Sequence, residues 1–337
     1  MTPLLSDLSA ADTTRAMRKR VLVLGATGTI GRATVRALIS EGHEVVCFIR
    51  ARAGESAQLF EGASIRHGDV SDPLSLKNQG FKDEQFDVVV SCLASRTGAP
   101  KDAWAIDYQA HVNALGCAKQ VGVSQFVLLS AICVQKPLLA FQQAKLAFEK
   151  MLMESGMTYS IVRPTAFFKS LSGQIERVKK GKPFLLFGDG TLTSCKPISD
   201  DDLGNYLADC LHDQTRHNRI LPIGGPGAAI TPKEQGERLF TLLHKEARFK
   251  QVPVALLDVV IIVLSVLGRI IPALADKAEL ARIGRYYATE SMLVWDAQSG
   301  TYDASMTPST GTQTLFDYYA DVVAGAAAPE RGDHAVF

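Results

Sequence analysis

The sequence has almost no net charge: 36 lysines and arginines against 35 aspartates and glutamates in 337 residues leave +1 at pH 7. Without an excess of either sign, neither nucleic acid nor an acidic surface is an expected partner. C-x-x-C pairs are missing too. The six cysteines, Cys47, Cys92, Cys117, Cys133, Cys195 and Cys210, are scattered and several lie inside apolar runs, so they read as buried thiols in a reducing compartment. The seven histidines stand singly, with no His-Cys or His-Glu cluster at metal-ligand spacing, and there is no G-x-S-x-G turn. That removes the usual grounds for a metal site or a serine nucleophile, and no metal is expected. No internal repeat or low-complexity tract occurs. Residues 1–16 lack an apolar run long enough for a secretory signal and read as a flexible tail.

Long hydrophobic runs are nearly absent, with one exception, VALLDVVIIVLSVLGRII at 254–271. Asp258 and Arg269 leave ten residues between them, ~15 Å of helix against a hydrocarbon core of ~30 Å, so the segment should not span a bilayer. It is expected to be a buried helix covering the second half of the protein; the alternative is a lid or surface-docking helix beside a hydrophobic substrate.

What is present is an alternation. The runs RVLVLGA, EVVCFIR, SIRHGD, DVVVSCLA, QFVLLSA and TYSIVRPTA are separated by amphipathic stretches such as 31–40, 108–121 and 141–154. Nearly continuous apolar strands between helices predict an α/β fold with a doubly wound parallel sheet of Rossmann type. The expected core runs over 17–168. A mostly helical C-terminal substrate-binding part follows over 169–328, with a strand near 219–224 returning to the sheet and a loose tail at 329–337.

Gly25-Ala26-Thr27-Gly28-Thr29-Ile30-Gly31 directly follows the first strand and opens a helix, the context that makes a glycine-rich turn a dinucleotide site. Glycine lets the backbone approach a pyrophosphate, whose charge rests on free N–H groups at the helix start. Gly25, Thr27, Gly28, Thr29, Ile30 and Gly31 are therefore candidate cofactor contacts. The second strand ends in Arg50, with Arg52 close by, where an NAD-preferring protein places a carboxylate. Guanidinium groups there favour the 2′-phosphate of NADPH. Asp69 and Val70, past the third strand, are either an adenine-side contact or part of a turn.

Carbonyl-reducing dehydrogenases of this type set a Tyr-x-x-x-Lys pair on one helical turn, the phenol acting as acid. Here the pair is Phe141 and Lys145. Lys145 remains as a cofactor and catalytic candidate, or is a surface cation. If the site is active, loss of the phenol argues against carbonyl reduction and leaves reduction of a conjugated carbon–carbon double bond. Ser130, at the end of the fifth strand, either polarises a substrate or caps a turn.

With these residues in place, the chain resembles the atypical short-chain dehydrogenases, and among them the divinyl chlorophyllide 8-vinyl reductases. The similarity runs from about Arg18 to Ala324 and is carried by FVLLSAICVQKPLLAFQQAKLAFE, YSIVRPTAFFKSL, FGDGTLTSCKPIS, LPIGGPG, TPKEQGE and IGRYYATESMLV. The resemblance implies NADPH-dependent reduction of the 8-vinyl group of divinyl chlorophyllide, or its protochlorophyllide relative, in chlorophyll or bacteriochlorophyll synthesis. A flat macrocycle needs an apolar, aromatic-edged cleft, for which Phe141, Phe167, Phe168, Tyr286 and Tyr287 are candidates. Arg163 either meets a pigment carboxylate or forms a structural ion pair. The tail at 1–16 is too short and mixed for a plastid transit peptide, so a cytoplasmic, bacterial-type enzyme is expected, with peripheral contact to the photosynthetic membrane an open alternative. Two other readings stay open: a non-catalytic NADP-binding regulator or assembly factor, and a reductase of another conjugated alkene.

Overall fold

The computed structural model describes residues 18–50 and 60–327, side chains 272 and 273 excepted. Arg52 and both tails lie outside the described residues. Seven strands form one parallel sheet: β1 (Arg20–Leu24), β2 (Glu44–Ile49), β3 (Ser64–His67), β4 (Val88–Ser91), β5 (Gln125–Leu129), β6 (Thr158–Pro164) and β8 (Arg219–Ile223). Their order is β3-β2-β1-β4-β5-β6-β8, every pairing parallel. The central strands are buried along their whole length, as apolar strands covered on both faces must be. The chain winds outward from β1 to β3, then returns beside β1 as β4, creating the switch point where ligands of such sheets bind.

On one face, α1 (Thr29–Ser40) and α4 (Asp200–Asp209) cover β1, β2 and β4. Ser199 caps α4, its Oγ accepting from the Asp202 N–H at 3.1 Å. At Gly204 the two helices meet so closely that a Cβ would lie 2.7 Å from the Ala33 carbonyl carbon. The other face is covered by α2 (His111–Gln120), preceded by wide π-helical turns over Trp104–Ala110, and by α3 (Ala140–Met153). All six cysteines are free thiols; Cys92 is half-buried and the others are buried.

Beyond β6 the chain builds a smaller mixed part: β7 (Phe184–Phe187) pairs with β9 (Phe249–Val252), and β10 (Val294–Asp296) with β11 (Thr301–Asp303). Around them stand α5 (Pro232–Leu242), α6 (Val254–Gly268), α7 (Pro272–Thr289) and α8 (Leu315–Ala324).

Burial of the apolar segment 254–271 is overturned. No residue of α6 is buried; it pairs with α7 along one side and faces outward with the other. A helix apolar all round reads as interior, yet here α7 is the element that packs closely against it. Among the described residues no helix is long and apolar enough to cross a membrane.

Candidate active site

The three glycines of the β1–α1 turn answer to different demands. Gly25 has φ +75°, and a Cβ there would lie 2.6 Å from the Cys92 carbonyl. A Cβ on Gly31 would lie 2.1 Å from the Gly25 oxygen. Both glycines are required by the fold. Gly28 has φ −70°, and its added Cβ would meet no protein atom closer than 3.4 Å. The chain itself does not need glycine there, whereas a phosphate approaching the backbone does. Gly28 is also the N-cap of α1; no side chain caps this end and no acid stands in its first turn. The first N–H groups have no partner within the helix and the positive end of its dipole faces outward, so the turn accepts an anion. Lys169 brings a cation to it, donating from Nζ to Thr29 Oγ1 at 2.7 Å. Sequence reading missed Lys169 because it comes from a short helix after β6, Phe168–Leu171, 140 residues from its partner Thr29.

At the end of β2, exposed Arg50 lines an open depression with His67, Gly68 and Asp69. The Asp69 carboxylate accepts the Ser71 N–H at 2.8 Å, a turn contact, while the residue still edges the depression. Val70 is buried in the core.

Lys145 is not a surface cation. It is buried on α3, with Nζ 2.9 Å from Oδ1 of Asp107. That oxygen also accepts the Ser95 N–H at 3.2 Å, from the loop after β4. Asp107 is fully buried and its Oδ2 has no partner within the protein. The sequence held a signal for it: Ala103, Asp107, Ala110 and Ala114 follow helical spacing along a buried stripe, and an acid on such a stripe needs a partner. One turn along α3, Glu149 accepts Ser130 Oγ and pairs with Arg163. Both Ser130 and Arg163 are thus held in a buried network. Beneath α3, His111 bonds Ser91 Oγ at 2.9 Å and the Ile106 carbonyl at 3.0 Å. Burial, assisted by Lys145, pulls its pKa down to about 4, so the ring is neutral.

An apolar cavity opens at the carboxyl ends of β5 and β6. Its lining includes Ala131, Cys133, Phe167, Leu192, Tyr287 and Met292. Of the candidate aromatics, Phe167 and Tyr287 line it. Phe168 is buried against Tyr318, Phe141 is packed in a cluster with Ile283, and buried Tyr286 donates its hydroxyl to the Cys133 carbonyl at 2.9 Å. The cavity and the phosphate turn are adjacent: Phe167 on its wall and Lys169 at the turn are two residues apart, at most ~7 Å of chain.

Glu41, His43 and His212 converge at the opposite end of the sheet, with ligand atoms within 4.8 Å of one another. His43 Nδ1 accepts the Lys19 backbone N–H at 3.1 Å, which places the ring proton on Nε2, facing His212 Nε2 at 3.1 Å. A ligating imidazole needs the reverse, a free Nε2 and a donating Nδ1. The cluster is a hydrogen-bonded pair of neutral rings.

A family model described as NAD(P)H-binding matches residues 25–214. The divinyl chlorophyllide a 8-vinyl-reductase of Cucumis sativus is 52% identical over 94% of this chain and 79% of its own length. The chain belongs to the divinyl chlorophyllide a 8-vinyl-reductase family. The photosystem II assembly factor Ycf39 of Synechocystis is more distant, 30% identical over 71% of this chain and 72% of its own. Among solved structures, the leucoanthocyanidin reductase–NADPH complex of Vitis vinifera has TM-score 0.66 and 16% identity over 90% of this chain and 99% of that one; it shares the fold. Within the vinyl-reductase family, the combination of Phe141, buried Lys145 and an apolar cavity becomes the feature to explain.

Proposed function

We propose that this protein uses NADPH to reduce the 8-vinyl group of divinyl chlorophyllide, or its protochlorophyllide relative, to ethyl. The observation that carries the reading is the apolar cavity, lined by Tyr287 and by Phe167, which stands two residues along the chain from Lys169 at the glycine turn, in a chain whose α3 keeps Lys145 but has Phe141 in place of the phenol. Bound at this turn, NADPH would supply the hydride equivalent for the vinyl group, and Lys145 or water would supply the proton. The conjugated macrocycle disperses the charge that a phenol would neutralise in carbonyl reduction. Backbone N–H groups at Gly28 to Ile30, with Lys169, would hold the pyrophosphate, and Arg50 would meet the 2′-phosphate. Peripheral contact with the pigment-bearing membrane would fit this reading without being required by it.

The test is direct. Purified protein given NADPH and divinyl chlorophyllide should yield monovinyl pigment, with a shifted Soret band; unchanged pigment at full NADPH occupancy rejects the reading. The likeness to an assembly factor supports one rival, a non-catalytic NADP-binding module. That rival wins if Lys145→Ala leaves biological activity intact while Gly28→Val abolishes it.

A further inference from the structure

The α6–α7 hairpin carries a broad aliphatic face that none of the described residues covers. Leu256, Val259, Ile262, Val263, Val266 and Ile270 are 49–80% exposed. At ~100° per residue, the exposed positions of α6 and its continuation cover an arc of about 160°. Its polar side chains lie on the other arc: Asp258 pairs with Arg285 of α7, and Ser265 accepts from Arg282 at 2.7 Å. The outer face is therefore wholly aliphatic, valine, leucine and isoleucine with Ala255.

We propose that this face docks the protein on a lipid surface bearing anionic headgroups. Four observations select that occupant. The arc is wider than the two-position seam of a coiled-coil partner. It contains no aromatic residue, whereas the centre of a protein–protein interface is enriched in them. Exposed Lys250 and Arg269 flank the helix, with Lys277 beyond, placing cations where an apolar face meets headgroups. At fifteen residues the helix is ~22 Å long, enough to lie in the interface and too short to cross it. The same hairpin ends at Tyr287, Ala288 and Met292, which form a cavity wall. Docking thus sets the cavity beside the bilayer, from which a sparingly soluble, apolar-bodied substrate can enter without crossing water. Only this last step rests on the proposed activity.

The test uses the full chain and vesicles containing no pigment. Co-sedimentation with phosphatidylcholine vesicles holding one quarter phosphatidylglycerol should show binding, several-fold weaker on phosphatidylcholine alone. Val263→Asp with Val266→Asp should lower it at least tenfold, with NADPH affinity and the circular dichroism spectrum unchanged. No binding by the parent chain, or equal binding by the double variant, overturns the proposal. Equal binding to neutral vesicles overturns the role of the cations. A dimer in sedimentation velocity that the same variant splits shows instead a face for a second copy. Because vesicle binding is read without pigment or turnover, its failure and failure of the vinyl-reductase reading are separate results.

Discussion

At the scale of the residue, geometry separates glycines that the fold requires from one, Gly28, that it does not. Gly31→Ala forces a Cβ to 2.1 Å from the Gly25 oxygen, and is expected to cost 3 kcal/mol or more by the order of known steric and overpacking effects, about 3 kcal/mol. Gly28→Ala should cost about 1 kcal/mol or less, since alanine is only a poorer N-cap, yet weaken NADPH binding at least tenfold by crowding the pyrophosphate. Urea unfolding and fluorescence titration of the two variants test this; equal losses in both assays would show that Gly28 is structural too. Lys145 gives a second case. Lys145→Met leaves the Asp107 carboxylate buried without its cation, a change of about 3–5 kcal/mol. Lys145→Met with Asp107→Asn removes both charges and should recover more than half of that loss while pigment reduction stays absent. A double variant no more stable than the single one would mean that the pair's proximity of 2.9 Å carries little coupling.

At the scale of the element, the sheet strands and the glycine turn were legible because strong local rules act on short segments. The fate of 254–271 was not: its apolar character is local, but whether a neighbour covers it depends on the tertiary fold. Asp107 and Lys169 were missed for a related reason. Each becomes functional only through a partner far along the chain, Lys145 for one and Thr29 for the other. Phe141, Phe168 and Tyr286 show the reverse error, since an aromatic beside a site can equally be the packing behind its wall. The same long-range logic links α4 to the cofactor turn. Gly204 touches the backbone of Ala33 and Thr34 in α1, so the helix that presents N–H groups to phosphate is held by a helix some 170 residues later. Gly204→Ala is expected to push the two apart, lowering stability by about 2 kcal/mol and weakening NADPH binding although the residue lies outside the turn. Thermal unfolding with and without NADPH checks it; full stability with unchanged affinity would show that the crossing yields freely.

At the scale of the whole molecule, two buried histidines, His43 at the amino end of the sheet and His111 on the face covered by α3, couple folding to pH. Burial, with like charge from His212 and Lys19, pulls the pKa of His43 down to about 4 from 6.5, and burial does the same for His111. Above pH 6.5 neither the folded nor the unfolded chain protonates these rings, and stability is level. Between about 6.5 and about 4 the unfolded chain takes up protons that the folded chain refuses, so stability falls as pH falls. The slope approaches about 1.4 kcal/mol per pH unit for each ring. Below about 4 both states are protonated and these two contributions stop growing. Glu41, whose carboxyl is raised by burial and Asp209, acts in the opposite sense, so the interval from pH 6.5 to 5 isolates the histidines best. Urea midpoints should fall steadily across that interval, and His43→Gln should flatten the slope by about half, whatever it does to stability at pH 7.5. Because His43 stacks on His212, just past the ends of α1 and α4, while His111 packs against Phe148 of α3, acid should loosen both layers together. Loss of NADPH binding and loss of helical signal should then coincide; separate transitions would show that the faces of the sheet unfold independently.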